Sequence, residues 1–302
     1  MHFVAVLNRD GGTLRTTDLS KFSETLRETL SSHGHTVDIE IVTGKNIVEA
    51  LTKAASQKKT DVLMAGGGDG TISAAAGLLK GRKKALAALP AGTMNLFARS
   101  LKIPLDLEQA VKAFATGEIR NVDIGTANDR PFVHQLSVGM HARMVHLRER
   151  MEFGSRFGKI GASARAAWTV LKNPTPMKVS LLVDKAEIEA RATGIGISNN
   201  LFGEGHLPYA DHPDGGTLGV YLTKARTNGE LLSFVMNLAR GKWRDNEQVT
   251  VHQAQKVVLR LLSSRRRQRC VLDGELIKLE RETVVVIHPA ALRVLVPMET
   301  PQ

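Results

Sequence analysis

The sequence predicts an α/β N-terminal domain, doubly wound on a mostly parallel sheet, joined to a mainly antiparallel β C-terminal domain. Three observations carry this. Up to about residue 125, short apolar runs alternate with helical spacing and the connections are short. Beyond residue 130, nine strand-like runs share only two helical patterns. In the first half, three polar, glycine-bearing turns follow strands, which is where parallel sheets bind ligands.

Phe3–Leu7 is a buried-strand pattern, followed by the turn Asn8–Thr13. Leu19, Phe22, Leu26 and Leu30 mark a helix over 18–32, capped by Thr17 or Asp18 and stopped at Gly34. Val37–Val42 alternates as a strand, 46–57 is helical, and Val62–Ala65 is a strand that leads through a glycine loop into a helix over 71–80. Ala85–Leu89 is the next strand, followed by Pro90-Ala91-Gly92 and helices over 93–101 and 106–116, then the strand Ile119–Ile124. The polar turn Asn128-Asp129-Arg130 marks the boundary, giving domains 1–127 and 128–287. In the second half, Phe132–Val138, Lys178–Val183, Glu187–Ile197, Leu218–Leu222, Val249–His252, Val257–Leu262, Cys270–Leu272, Leu276–Leu279 and Thr283–Ile287 read as strands. Helical spacing occurs only at about 141–172 and 228–240.

Composition excludes several classes. With 42% hydrophobic and 24% charged residues, 302 residues can build a core, which argues against disorder. The single cysteine, Cys270, excludes an internal disulfide and any multi-cysteine metal cluster, and fits a reducing compartment. No apolar run approaches the roughly 18–20 residues of a membrane span. Phe3–Leu7 is too short, and lacks the basic lead, for a signal peptide. The net charge of +11 is concentrated: segments 141–178 and 256–269 each sum to +6, which leaves the remainder near neutral. Such charge suits anionic partners.

Gly66-Gly67-Gly68-Asp69-Gly70-Thr71 ends a strand and opens a helix. Glycines let the backbone approach a bulky anion, and helix N-terminal amides supply donors. Asp69 would repel phosphate unless a cation bridges them, so its presence points to Mg²⁺ in the ligand. The loop lacks the Gly-Lys-Ser/Thr of a Walker A motif. With the turns Asn8–Thr13 and Leu89–Asn95, it would form a polyamide cleft on one sheet edge.

GGGDGT resembles the glycine motif shared by diacylglycerol, sphingosine and NAD kinases. Pro90–Leu101 (PAGTMNLFARSL) resembles the PxGTxNxFAR segment of the diacylglycerol kinase catalytic family. Further matches follow in family order: Ser137-Val138-Gly139, Asn199-Asn200 with Gly203, Gly205 and Pro208, Asp214-Gly215, Asp273-Gly274-Glu275, and the closing Ala290–Pro297. The resemblance spans nearly the whole chain. It implies an active site in the interdomain cleft and a final stretch, 288–302, returning to the first domain.

The resemblance also implies roles. ATP phosphates would be held by Gly67, Gly68, Asp69, Gly70, Thr71, Thr93, and Asn8 and Gly12 of the first turn, with Thr43 also touching nucleotide. Asp69 is in addition a catalytic candidate. The base would come from the DGE segment, as Asp273 or Glu275; two apart on an extended stretch, they share a face, and the sequence does not separate them. Asp211 and Asp214 resemble a structural Mg²⁺ site, although Pro213 stands where the family often has a second acid. Arg9 likewise replaces the proline usual in the first turn. The ten histidines show no metal spacing and are read as surface or core residues.

The expectation is an ATP- and Mg²⁺-dependent lipid kinase, cytoplasmic and peripheral on the membrane, acting on a lipid alcohol such as diacylglycerol. Segments 141–178 and 256–269, including Arg265, Arg266, Arg267 and Arg269, would face an anionic membrane surface. Nucleic acid is not expected, since no RNP, KH or helix-turn-helix signature accompanies the charge. The rivals are a NAD kinase, which shares the glycine loop, and a non-catalytic basic protein that binds membrane or nucleic acid.

Overall fold

The computed structural model describes residues 1–149, 169, 175–204, 207–225, 227, 229–230, 233, 236–237, 246–262 and 268–298. The first half runs β1 (His2–Asn8), α1 (Leu19–Ser32), β2 (Thr36–Val42), α2 (Ile47–Ser56), β3 (Val62–Gly67), α3 (Asp69–Leu79), β4 (Ala85–Pro90), α4 (Leu96–Ser100), α5 (Leu107–Ala115) and β5 (Glu118–Ala127). Asp18 caps α1, accepting from the Ser20 and Lys21 amides, and the helix buries Phe22, Leu26 and Leu30. Asp106 caps α5 through the Gln109 amide. β3 and β4 are buried along their whole length, as strands covered on both faces must be.

α4 is shorter than the helix expected over 93–101. Asn95 sits at φ 51° in the left-handed region, and its side chain is committed to the preceding turn, so helix begins only at Leu96.

The second half runs β6 (Arg130–Phe132), β7 (Gln135–Gly139), α6 (Met140–Glu149), β8 (Met177–Val183), β9 (Ala186–Ala192), β10 (Gly194–Asn199), β11 (Leu218–Thr223), β12 (Val249–Ala254), β13 (Lys256–Leu261), β14 (Arg269–Leu272), β15 (Glu275–Lys278) and β16 (Glu282–Val296). The rest of the helical pattern at 141–172, most of that at 228–240, and Arg265–Arg267 lie outside the described residues.

Two sheets result. The larger runs β2-β1-β3-β4-β16-β13-β8-β9, with β5 on β16 and β6 on β5; the smaller runs β12-β11-β10-β7-β14-β15 and is antiparallel. In the larger sheet β1 to β4 are parallel, and β16 carries it into antiparallel territory. The C-terminal half of β16 lies beside β4 and the start of β5, and its N-terminal half beside β13 and the end of β5. The register slips between His288 and Leu292, where Ala290 adopts φ 52°.

The two sheets sandwich a core that includes Leu136, Ile195, Ile197 and Val220 from one and Val179, Leu181, Leu259 and Val285 from the other. The chain crosses between them several times. Glu187–Ile197, expected as one strand, is two: β9 belongs to the larger sheet and β10 to the smaller, divided at Thr193, whose N–H is taken by the Thr223 carbonyl. Phe132–Val138 divides in the same way at Val133-His134. Continuous apolar spacing runs through these crossings because both sheets face one core.

Candidate active site

The three turns expected to converge do so through their backbones. A β-carbon on Gly12, at φ 35°, would stand 1.9 Å from the Ala91 carbonyl oxygen, and one on Gly92 would stand 2.9 Å from Gly68 Cα. The Thr13 amide donates to Ala91 O at 2.8 Å and the Ala91 amide to Gly67 O at 3.2 Å. Only glycine permits this approach. Asn95 locks the third turn: its Oδ1 accepts from Gly92 N at 2.8 Å, and its Nδ2 donates to the Gly92 and Pro90 carbonyls.

Asp69 opens α3 and is half-buried. Its Oδ1 accepts from Leu96 N at 3.1 Å, tying the glycine loop to α4. Burial pushes its carboxyl above the usual range, against the backbone amides of Leu96 and Asn95. Thr71 is buried with its side chain folded over Gly67, while Thr93 and Thr43 are exposed at their turns. Asn8 Oδ1 accepts from Asp10 N, and Asp10 Oδ2 accepts from Gly44 N at 2.8 Å, which joins the first turn to the one after β2. Asp10 and Gly44 were not singled out by the sequence reading; their contact spans 34 positions and has no local signal.

The DGE segment approaches from the other half, and its two carboxylates have different surroundings. Asp273, 4% exposed and at φ 44°, accepts from Val133 N at 2.7 Å on Oδ2 and from His134 N and Gln135 N at 2.9 Å on Oδ1. Those amides are the point where the chain leaves one sheet for the other. Ser73 of α3 donates to the same carboxylate. Burial pushes its pKa up to about 6, against these four donors. Glu275 is exposed, and its Oε1 lies 2.9 Å from where a Gly70 β-carbon would be, directly against the glycine loop. α3 thus begins in the glycine loop, meets Asp273 through Ser73, and packs Gly77 against Pro131 of β6.

Asp211 and Asp214 are exposed, and the Asp211 carboxylate packs on Gly203. Among the described residues, no three His, Cys, Asp or Glu side chains come together as a metal-ligand set. The loop they occupy is held instead by Asp123, which the sequence reading missed. Buried on β5, Asp123 accepts from Gly216 N at 2.6 Å and from Ala290 N at 2.8 Å, and donates its own N–H to Pro213 O. Burying that carboxylate is tolerable because both its oxygens are partnered. His134 is half-buried with its ring stacked on Phe202, and desolvation drives its pKa down to about 3. It stays neutral, consistent with a core histidine.

The model for the diacylglycerol kinase catalytic domain matches residues 2–127, and that for the YegS C-terminal NAD kinase beta sandwich-like domain matches 134–296. Among curated relatives, the chain is 32% identical over 114 residues to a Cronobacter sakazakii protein named "Probable lipid kinase YegS-like". That match covers 36% of this chain and 38% of the relative, so it spans well under half of either protein. It is 27% identical over 239 residues to a Staphylococcus saprophyticus protein named diacylglycerol kinase, covering 76% of each. A solved diacylglycerol kinase structure from Bacillus anthracis str. Sterne aligns over 98% of this chain and 97% of its own, with a TM-score of 0.72 at 15% identity. A second structure from that organism covers 98% and 95%, with a TM-score of 0.78 at 19% identity. At these identities the structures speak to the fold alone.

Proposed function

The chain belongs to the lipid kinase family defined by the diacylglycerol kinase catalytic domain, and on that premise we propose that it transfers the γ-phosphoryl group of ATP to a lipid hydroxyl, that of diacylglycerol in the first instance. The observation that carries the reading is the exposed Glu275 carboxylate set against Gly70 of the glycine loop. A base in that place sits where phosphate and acceptor hydroxyl would meet. The acceptor oxygen bonds to the γ-phosphorus, the bond to the β,γ-bridging oxygen breaks, ADP leaves, and the hydroxyl proton passes to Glu275.

Asp273 is assigned a positioning role. Buried, and with both oxygens already accepting from backbone amides, it is not presented to a substrate hydroxyl and serves the knot that joins α3 to the crossing at Val133. The converging amides of the three turns would cradle the triphosphate, with Asn8, Gly12, Thr43, Gly67, Gly68, Gly70, Thr71 and Thr93 at or beside the contact. Asp69, a half-buried carboxylate among anion-binding amides, suits a bound Mg²⁺, which would offset charge on the phosphate oxygens. Asp211 and Asp214 have no such supporting arrangement.

Association with the membrane surface through the basic segments belongs to the same proposal; no helix among the described residues is long and apolar enough to cross a bilayer. The decisive test is incubation with labelled ATP, Mg²⁺ and a total lipid extract, with mass identification of the product. Phosphorylation of a lipid alcohol is expected, and labelling of none would sink the proposal. Glu275→Gln should lower turnover by about 10²–10⁴-fold while leaving the ATP dissociation constant within about twofold. NAD phosphorylation in the parallel assay would instead favour the rival that shares the glycine loop and the sandwich, against which the PAGTMNLFARSL segment stands.

A further inference from the structure

The sheet order β2-β1-β3-β4 puts β2 and β3 on opposite sides of β1, so the connections after β1 and β3 leave toward opposite edges. A parallel sheet binds its ligand in the crevice at such a reversal. Glycine backbone crowds the crevice here: a β-carbon on Gly11 would stand 3.4 Å from Gly67 Cα. The phosphates proposed for the three turns would lie on the side of β3 and β4. Thr43, which the resemblance puts on the nucleotide, follows β2 and draws the nucleoside toward the other side.

The first turn reaches that side too. Arg9 N donates to Val42 O at 2.9 Å, and Asp10 Oδ2 accepts from Gly44 N at 2.8 Å. Asn8 Oδ1 accepts from Asp10 N at 3.1 Å, which fixes the turn from which Asp10 reaches the end of β2. Asp10 and Thr43 are both exposed, on either side of the Gly44 amide. The ends of β2 and β3 are two strand spacings apart, roughly 10 Å, so a carboxylate at β2 stands off from phosphates gathered at β3 and β4.

In doubly wound sheets that bind dinucleotides, an acid about 20 residues beyond the glycine turn accepts from a ribose hydroxyl. The turn after β2, Thr43-Gly44-Lys45-Asn46, holds no acid of its own, and Asp10 brings one there from the first turn. We propose that Asp10 accepts from the 2′- and 3′-hydroxyls of the nucleotide's ribose and selects ribonucleotides over deoxynucleotides. The inference rests on the ATP reading given above and is independent of the lipid. An ionised carboxylate only accepts, at about four lone-pair sites, and ribose hydroxyls can donate where ionised phosphate oxygens cannot. Its charge makes such hydrogen bonds roughly twice as strong as neutral ones.

Calorimetric titration of the intact protein with Mg²⁺ and ATP, 2′-deoxy-ATP or 2′,3′-dideoxy-ATP needs neither lipid nor turnover. Wild type should bind ATP about tenfold more tightly than the dideoxy analogue, with 2′-deoxy-ATP between them. Asp10→Asn keeps an oxygen for the Gly44 amide, so the tether survives while the ratio falls to about two- to threefold. Asp10→Ala should bring the ratio close to one, with melting temperature checked for both variants. Equal binding of ATP and the dideoxy analogue by wild type would overturn the assignment and leave the kinase reading standing. A ratio still near tenfold in a folded Asp10→Ala protein would overturn it as well, because a carboxylate that only ties two turns together weakens both nucleotides alike. Inosine triphosphate, which keeps the hydroxyls and lacks the adenine amino group, should lose as much affinity as ATP in Asp10→Asn. No loss for it beside a loss for ATP would move the contact from the ribose to the base. Wild type that labels no lipid but keeps the tenfold ratio would sink the lipid-kinase reading and not this one.

Discussion

On the side of the proposed site assigned to the nucleotide, three turns touch backbone to backbone, and the glycines at 12 and 92 leave no room for side chains between them. On the acceptor side, one turn, Leu272–Glu275, is held by a side chain: Asp273 collects three amides from the crossing between sheets and a hydroxyl from α3. The first edge is rigid because nothing intervenes. The second is rigid because one buried carboxylate is fully partnered. Each leaves a carboxylate where chemistry can use it, Asp69 within the amide cradle and Glu275 projecting toward it. The two edges should therefore fail differently.

The largest effect is expected on the acceptor side. Asp273→Asn places an amide nitrogen among backbone N–H donors in a buried site, which should cost about 3–5 kcal/mol of stability, a scale set by breaking buried charged networks. Urea unfolding at neutral pH measures it, and a loss below about 1 kcal/mol would show that the knot is not what fixes this edge. Wild type should also show a pH signature. The folded carboxyl is raised from 3.8 to about 6 by burial, so between those values the folded state binds more protons than the unfolded chain. The contribution is fully present below about pH 4 and lost as pH rises through about 6, roughly 3 kcal/mol at 1.36 per unit. Acidification across that window should stabilise wild type relative to Asp273→Asn. The two effects do not conflict, because a protonated carboxyl oxygen can still accept from an amide whereas an amide nitrogen cannot.

The nucleotide edge should respond to bulk. Gly12→Ala puts a methyl 1.9 Å from a carbonyl oxygen at φ 35°, so the first and third turns must part. About 1–3 kcal/mol of strain is expected. Its readout is ATP affinity, weakened about ten- to a hundredfold in calorimetric titration, with β-sheet content and vesicle binding intact. Unchanged affinity would mean that the contact between these turns does not shape the nucleotide site.

The two edges also differ in how far the sequence announces them. Each turn of the cradle is local, with strand, turn and helix following one another, and two motifs name the glycines and Asn95; only the convergence of the turns, Gly12 on Ala91 and Asp10 on Gly44, spans the chain. The acceptor edge depends on contacts that skip more than a hundred residues, from Asp273 to Val133 and from Ala290 to Asp123. Asp123 lies in an ordinary strand pattern and had no signal. The strand reading Thr283–Ile287 stops well short of β16's end at Val296, because the irregularity after His288 breaks the alternation. The change of sheet at Thr193 left no trace, since both sheets bury the same residue types. The choice between Asp273 and Glu275 was open for the same reason: on an extended segment they share a face, and only the turn at Asp273, φ 44°, with its distant amides, sends one inward and leaves the other at the loop.

The smallest predicted effect lies where the edges meet. Gly70 is in the first turn of α3 at an ordinary negative φ, so Ala there carries no backbone strain and should raise helix stability by up to about 1 kcal/mol. The added methyl would stand 2.9 Å from Glu275 Oε1 and push aside the free end of a flexible side chain. Gly70→Ala should therefore melt at or above the wild-type temperature while turning over about tenfold more slowly, with ATP affinity nearly unchanged. The combination is diagnostic. If the loop itself were damaged, ATP affinity would fall with turnover; if Glu275 had no role, neither would change. In Glu275→Gln protein the added methyl should slow turnover no further, because the displaced group has already lost its basicity. A full tenfold loss in that background would show that Gly70 acts on the phosphates directly and not through Glu275.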